Sequence, residues 1–148
     1  FGSPRINWDG HEDIVENHRT QAITMDQPVA ALIQDLKARG MLEDTVVLWT
    51  TEFGRTPITQ GIDGKGRDHH PQAFPIFMAG AGLRAGYAHG ATDEIGYGVA
   101  ESPVEFYDVH ATLLQLLGMD HTQLVFRHNG VDRRLTDVHG EIITPILA

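Results

Sequence analysis

The sequence predicts an α/β fold in which a mostly parallel central sheet is flanked by helices. Two apolar runs, TVVLWTT at 45–51 and FPIFMAG at 74–80, have the composition of strands that are buried on both faces. Residues 54–72, between these runs, are rich in glycine and polar side chains and predict a loop. A helical pattern precedes the first strand, and a capped helical segment follows the second. This order of elements is typical of an α/β layer, whose ligand-binding groups follow the carboxyl ends of the strands.

The first helix is predicted to run from about Asp13 to Arg39, before Gly40 ends it. Apolar residues recur along this segment at helical spacing. Pro28 interrupts the segment because it has no backbone N–H to donate. We therefore expect either a kinked helix or two helices, with Asp26 as the N-cap of the second.

A second helix and a hairpin are predicted in the C-terminal half. The string SPVEFYDVHATLLQLLG predicts a helix in which Ser102 is the N-cap and Glu105 completes a capping box. Gly118 is expected to end this helix. Asn129 and Gly130 lie between two strings of alternating apolar and polar residues, and this arrangement predicts a β-hairpin.

The composition restricts the class of protein. With 148 residues, of which 41% are hydrophobic and 21% charged, the chain has the length and composition of a single α/β domain spanning 1–148. The net charge of -9 argues against a nucleic-acid partner, which would need clustered lysine and arginine. No run approaches the roughly 18 apolar residues of a membrane span. There is no cysteine for a disulfide or a thiolate ligand. Self-association or a missing upstream region remain open alternatives.

The string NWDGHEDIVENH, at the start of the first helix, concentrates acidic residues and histidines. Carboxylate and imidazole are ligands of divalent zinc, manganese and iron, and Asp9 with His11 could chelate one ion from a turn. A second interpretation needs no ligand, because acidic residues in a first helical turn complement the helix dipole. This interpretation is sufficient for Glu12, Asp13 and Glu16, and both interpretations stay open for Asp9 and His11.

A second group of candidate residues follows the first predicted strand. Glu52 leaves that strand at a point where a charge is costly unless it is paired or bound to a metal. Arg55 could pair with it. Alternatively, His69 or His70 could return along the glycine-rich segment to share a cation with Glu52. Asp68 would then orient a ligating histidine.

The remaining histidines and motifs offer no catalytic site. His18 and His110 are predicted to pack in the core, and His121 and His128 are predicted to lie on the surface. The chain has no Gly-x-Ser-x-Gly elbow, phosphate-binding loop or dinucleotide-binding glycine motif.

Five ordered motifs carry a resemblance to a known family. They are NWDGHEDIVENH, DLKARGMLEDTVVLWTTEFGRTP, GKGRDHHP, MAGAGLRAGYAHGATDEIGY and LTDVHGEII, and together they span nearly the whole chain. In this order they resemble the C-terminal part of the bacterial family called domain of unknown function 1501, which is grouped with the sulfatases and alkaline phosphatases.

The resemblance implies an alkaline-phosphatase-like α/β fold that binds divalent metal at the carboxyl ends of a central sheet. Carried over position by position, the implied metal ligands are Asp9, His11, Glu52 and His69. The metal could be zinc, manganese, calcium or iron. The implied substrate is a small-molecule sulfate or phosphate ester, and an exported or periplasmic location is consistent with the family.

Two departures from the family pattern lead to an alternative function. Glu52 is followed by Phe53, whereas phosphatases and sulfatases usually have Asp-His after that strand. No counterpart of the superfamily's nucleophile is visible in the chain. The first hypothesis is a metal-dependent hydrolase of sulfate or phosphate esters, or its ligand-bearing C-terminal part, in which Arg55 or Arg67 clamps the anion. The alternative is a noncatalytic metal- or anion-binding module.

Overall fold

The computed structural model describes residues 7–148, which divide into two compact units. The first unit comprises the described residues up to Gly80 together with Thr92–Ala100, and the second comprises Ala81–Ala91 and Glu101–Ala148. Two helices, eight strands and one 3-10 turn are found in the described part of the chain: α1 (Ile14–Ala38), β1 (Val46–Trp49), β2 (Gly54–Gln60), β3 (Gly66–His70), β4 (Phe77–Gly80), β5 (Ala91–Thr92), β6 (Val99–Glu101), α2 (Phe106–Leu116), β7 (Val125–His128), β8 (Val131–Arg134) and the 3-10 turn Thr144–Ile146.

Helix α1 is a single helix of 25 residues. Its N-cap is Asp13, whose side chain accepts a hydrogen bond from a backbone N–H of the first turn, at 3.1 Å. Pro28 lies inside the helix, so the expectation of two helices with Asp26 as the second N-cap is wrong. Gly40 follows the last turn with a φ of 69°, a conformation that glycine adopts readily, as expected for the end of a helix.

The two predicted apolar strands pair with each other in an antiparallel sheet. Val46 of β1 lies opposite Gly80 of β4, and Trp49 lies opposite Phe77. Their side chains are half-buried or exposed rather than fully buried. Within residues 7–148 each strand pairs with one neighbour, and no parallel central sheet is present. The predicted parallel arrangement is thus not observed in this part of the chain, and the alkaline-phosphatase-like fold stays a prediction.

The polar segment between these strands forms a β-hairpin, so the predicted loop at 54–72 is wrong. Strands β2 and β3 pair antiparallel, and Arg55 lies opposite His69. The hairpin is joined to the turn before α1 by backbone hydrogen bonds. The Arg67 N–H donates to the Gly10 carbonyl at 3.0 Å, and the N–H of Ile14 donates to a carbonyl of the hairpin turn at 3.1 Å.

A turn organised by Asp93 closes the first unit beside the hairpin. Its carboxylate accepts hydrogen bonds from the backbone amides of Tyr97 and Gly98, both at 2.8 Å. The carbonyl of Tyr97 in turn meets Nε2 of His70, whose side chain is almost fully buried. The turn thus supplies a hydrogen-bond partner to a buried histidine of β3.

The Asp93 turn is expected to weaken at acid pH. Hydrogen bonds from the Tyr97 and Gly98 amides lower the pKa of Asp93 from its ordinary value of 3.8. The ionised carboxylate therefore stabilises the turn fully above that value, and the contribution is lost as pH falls through the lowered pKa. A carbon-13 NMR titration of the carboxyl groups should show Asp93 ionising below 3.8. Ionisation of Asp93 at or above 3.8 would contradict the observed hydrogen bonds.

The second unit is organised around α2 and a hairpin. The helix begins after Glu105, which forms a capping box with Asp108, so Ser102 is not the N-cap. The reason is that Ser102 has a φ of 45°, outside the extended conformation typical of an N-cap. The predicted hairpin is confirmed, because β7 and β8 pair on either side of Asn129 and Gly130.

The core of the second unit corrects two histidine predictions. Val109 and Thr112 are buried on one face of α2, whereas His110 is exposed. His121 is buried and its Nδ1 lies 2.9 Å from the hydroxyl of Thr136, so it is not a surface residue. Across residues 7–148, neither helix has the length and apolar composition needed to cross a membrane.

Candidate metal centre

Three side chains of the first unit bring possible metal ligands to one point. Nε2 of His11 lies 2.9 Å from Oδ1 of Asp9, and Nε2 of His69 lies 2.8 Å from the same oxygen. The two Nε2 atoms are 3.1 Å apart. We call Asp9, His11 and His69 the ligand cluster.

The turn before α1 and strand β3 together produce this arrangement. Asp9 and His11 lie in a turn before α1, in which the N–H of His11 donates to the carbonyl of Asp9 at 2.9 Å. His69 lies on β3, about 60 positions later in the chain. Gly66, at the start of β3, is buried and permits the hairpin to approach the backbone of His11 closely. The close approach brings a histidine of the hairpin to the turn.

The two imidazole rings are oriented by different contacts. The ring of His69 stacks on Phe53, with ring centroids 4.0 Å apart. Nδ1 of His11 lies 2.8 Å from Oε1 of Gln60, at the end of β2. Asp68, which was predicted to orient a ligating histidine, lies 3.8 Å from the same nitrogen, too far for a hydrogen bond. Asp68 instead accepts a hydrogen bond from the backbone N–H of His69, at 2.8 Å.

Arg55 fixes the charge and position of Asp9. Its guanidinium donates to Oδ1 of Asp9 at 2.5 Å and to the backbone carbonyls of Trp8 and Arg67. The hydrogen bond from Arg55 is the largest cause that lowers the pKa of Asp9 from 3.8 to about 2, and the hydrogen bond from His69 acts in the same direction. Asp9 is therefore ionised at neutral pH, as a metal ligand must be.

The chemistry and spacing of the ligand cluster suit a small divalent ion. Tetrahedral ligands that lie 2.0–2.1 Å from zinc are separated from each other by roughly 3.3 Å. The three atoms of the cluster are 2.8 to 3.1 Å apart, so a small outward movement would admit the ion. Two imidazoles and one carboxylate suit zinc, manganese or iron, whereas calcium prefers a shell of oxygen atoms. Calcium is thus the least suitable of the four predicted metals.

Glu52 lies outside the ligand cluster but lines the same cavity. This cavity has a volume of about 820 Å³, and its walls include Asp9, Glu52 and His69. Glu52 is exposed, and its Oε2 accepts a hydrogen bond from the hydroxyl of Thr51 at 3.2 Å. One interpretation of the sequence paired Arg55 with Glu52. The carboxylate partner of Arg55 is instead Asp9. The role of Glu52 as a ligand stays a prediction.

The two predicted anion clamps have other partners. Arg55 is largely buried and is held by Asp9 and by two backbone carbonyls. Arg67 is half-buried and donates from Nη1 to the carbonyl of Gly66, at 2.9 Å. Neither contact tests the binding of a substrate anion, so both clamps stay predictions.

Two residues at this site were not identified from the sequence as contributors. Phe53 was noted only as a replacement for an imidazole, whereas its ring is the surface on which His69 stacks. Gln60 was not singled out, because a polar residue in a segment without periodicity gives no local signal of its partner. Its contact with His11 spans 49 positions of the chain.

Comparison with known proteins gives one match. Residues 2–147 match the family described as "Protein of unknown function (DUF1501)". No curated protein and no solved structure shows a significant match to the chain.

Proposed function

The chain belongs to the DUF1501 family, and from the ligand cluster we propose that it is a metal-dependent hydrolase of sulfate or phosphate esters. The observation that carries this proposal is the convergence of Asp9, His11 and His69, whose ligand atoms lie within 4.8 Å of one another. A relationship to the alkaline phosphatases and sulfatases is part of the same proposal, and it rests on the order of the sequence motifs.

The residues around the cavity would have different roles in binding an ester. Asp9, His11 and His69 would hold the divalent ion, which when bound neutralises the charge of ester oxygens. Arg55 holds Asp9 in place and lowers its pKa. The apolar side chains of Trp8, Trp49 and Phe74 line the same cavity and offer a surface to the organic part of an ester. These apolar walls favour an organic ester over a free inorganic anion.

A second candidate is a noncatalytic metal-binding module. The observation that favours it is the state of Arg55, whose guanidinium already donates to Asp9 and to the carbonyls of Trp8 and Arg67. A guanidinium engaged in this way has fewer donors left for a substrate anion. The ligand cluster would then bind an ion without the clamp that ester hydrolysis uses.

The test of the proposed function measures metal and turnover together. The purified 148-residue chain is loaded separately with zinc, manganese and iron, and bound metal is determined by elemental analysis. We expect about one ion per chain and metal-dependent hydrolysis of 4-nitrophenyl phosphate or 4-nitrophenyl sulfate. The control is the His128→Ala variant, which removes an exposed histidine of β7 outside the cluster and should retain both properties.

The outcomes separate the two candidates. Bound metal with metal-dependent turnover supports the hydrolase and excludes the noncatalytic module. Bound metal without turnover of either ester favours the noncatalytic module. A chain that binds none of the three metals would contradict both.

A further inference from the structure

We propose that Gln60 is a positioning residue that sets the tautomer of His11 and thereby directs the lone pair of Nε2 at the metal position. This inference deepens the proposed function and rests on the ligand cluster as a metal site. It assigns a role to a side chain of β2 that is not itself a ligand. Residues of this kind hold a ligating histidine in one orientation and one protonation pattern.

The contacts of His11 define the two tautomers. A neutral imidazole carries one N–H, on either Nδ1 or Nε2. Nδ1 lies 2.8 Å from Oε1 of Gln60, and an amide oxygen can only accept a hydrogen bond. When Nδ1–H donates to Gln60, Nε2 keeps its lone pair. Nε2 is the atom that faces Asp9 and His69.

The competing tautomer would block the site. In that form Nε2–H donates to Oδ1 of Asp9, 2.9 Å away, and the proton lies among the three ligand atoms. Because a bound cation needs that nitrogen's lone pair, this tautomer must be lost before metal binds. Asp68 lies 3.8 Å from Nδ1 and is too distant to hold its proton. In the part of the chain that the structure describes, Gln60 is thus the group that favours the binding tautomer.

Gln60 is held where this contact requires it. It is half-buried at the last position of β2, directly opposite Gly66 of β3. Gly66 itself lies against the backbone of His11. The backbone of the hairpin therefore places both the residue that bears the amide and the turn that bears the imidazole.

The experiment observes the tautomer directly in the metal-free protein. Long-range proton–nitrogen NMR spectra of the His11 ring distinguish Nδ1–H from Nε2–H, at a pH at which the ring is neutral. We expect Nδ1–H in the wild type and a shift toward Nε2–H in Gln60→Leu, which removes the acceptor. Zinc affinity should fall roughly 10–100-fold in Gln60→Leu, in line with the loss of an outer hydrogen-bond partner.

A conservative variant and a matched control separate positioning from folding. Gln60→Glu keeps an acceptor at the same position and should retain the Nδ1–H tautomer and zinc binding. Gln72→Ala removes an exposed glutamine elsewhere in the same unit and should change neither. Amide NMR spectra of each variant report whether the hairpin is intact.

Several results would overturn the inference. An Nε2–H tautomer in the wild type would do so, as would an Nδ1–H tautomer or unchanged zinc affinity in Gln60→Leu. If the wild type binds none of zinc, manganese and iron, the proposed function fails, whereas the NMR spectra still decide whether Gln60 sets the tautomer. If zinc binds and Gln60→Leu does not change the tautomer of His11, the proposed function stands and this inference fails.

Discussion

Replacing His69 by alanine is expected to remove tightly bound metal from the chain. His69 supplies one of three converging ligand atoms, and its Nε2 also contacts Asp9 at 2.8 Å. Loss of a ligand should cost more affinity than the roughly 10–100-fold that accompanies loss of an outer partner. Competition with a zinc chelator measures the change, and His11→Ala should show a loss of similar size.

A control substitution at an exposed histidine shows whether the loss of affinity is specific to the ligand cluster. His128→Ala removes an imidazole that lies outside the ligand cluster, and it should leave zinc affinity unchanged. If His69→Ala binds zinc as tightly as the wild type, the ligand cluster is not the metal site. Circular dichroism of each variant establishes whether the fold is retained, so that a loss of affinity is not a loss of folding.

Gly66→Ala is expected to separate the hairpin from the turn that carries Asp9 and His11. A β-carbon built on Gly66 would lie 1.7 Å from the carbonyl oxygen of His11 and 2.8 Å from the backbone nitrogen of Glu12. Neither atom belongs to a flexible side chain, so the backbone must move. We expect a loss of about 3 kcal/mol or more in the free energy of unfolding, at the upper end of the cost of overpacking. Urea denaturation measures this loss.

The same substitution should also weaken zinc binding, because it moves His11 away from His69. Gly98→Ala is a suitable control in the same unit, since its β-carbon would make only an ordinary contact of 3.4 Å with the side chain of Asp93. That variant should bind zinc normally. A Gly66→Ala protein with unchanged stability and zinc affinity would contradict the close approach between β3 and the turn.

The candidate site was predictable to different degrees at its different residues. Asp9 and His11 are two positions apart in a turn, so the spacing alone suggests that they can share an ion. His69 was one of two candidate histidines, and the structure brings it, rather than the buried His70, to the cluster. Glu52 was expected at the same ion because it follows a strand, but the strand's end determines only the edge at which it lies, not its distance from the cluster.

Short-range patterns in the sequence determined several elements without help from the rest of the chain. The periodicity before Gly40 predicts α1, and Asn129 with Gly130 predicts the β7–β8 hairpin. These signals are local because helix ends and tight turns depend on the backbone conformations of a few consecutive residues. The predicted start of α2 was wrong, because Ser102 has a φ of 45° and the helix begins after Glu105 instead.

The tertiary structure alone decided the pairing of β2 with β3 and the composition of the metal centre. Residues 54–70 lack the alternation of a strand, and they form a hairpin because their backbone groups bond to each other and to the turn before α1. The positions of Arg55 and Gln60 beside Asp9 and His11 depend on that pairing. Such contacts join residues about 50 positions apart, and no local pattern encodes them, because their geometry is set only when the strands pair.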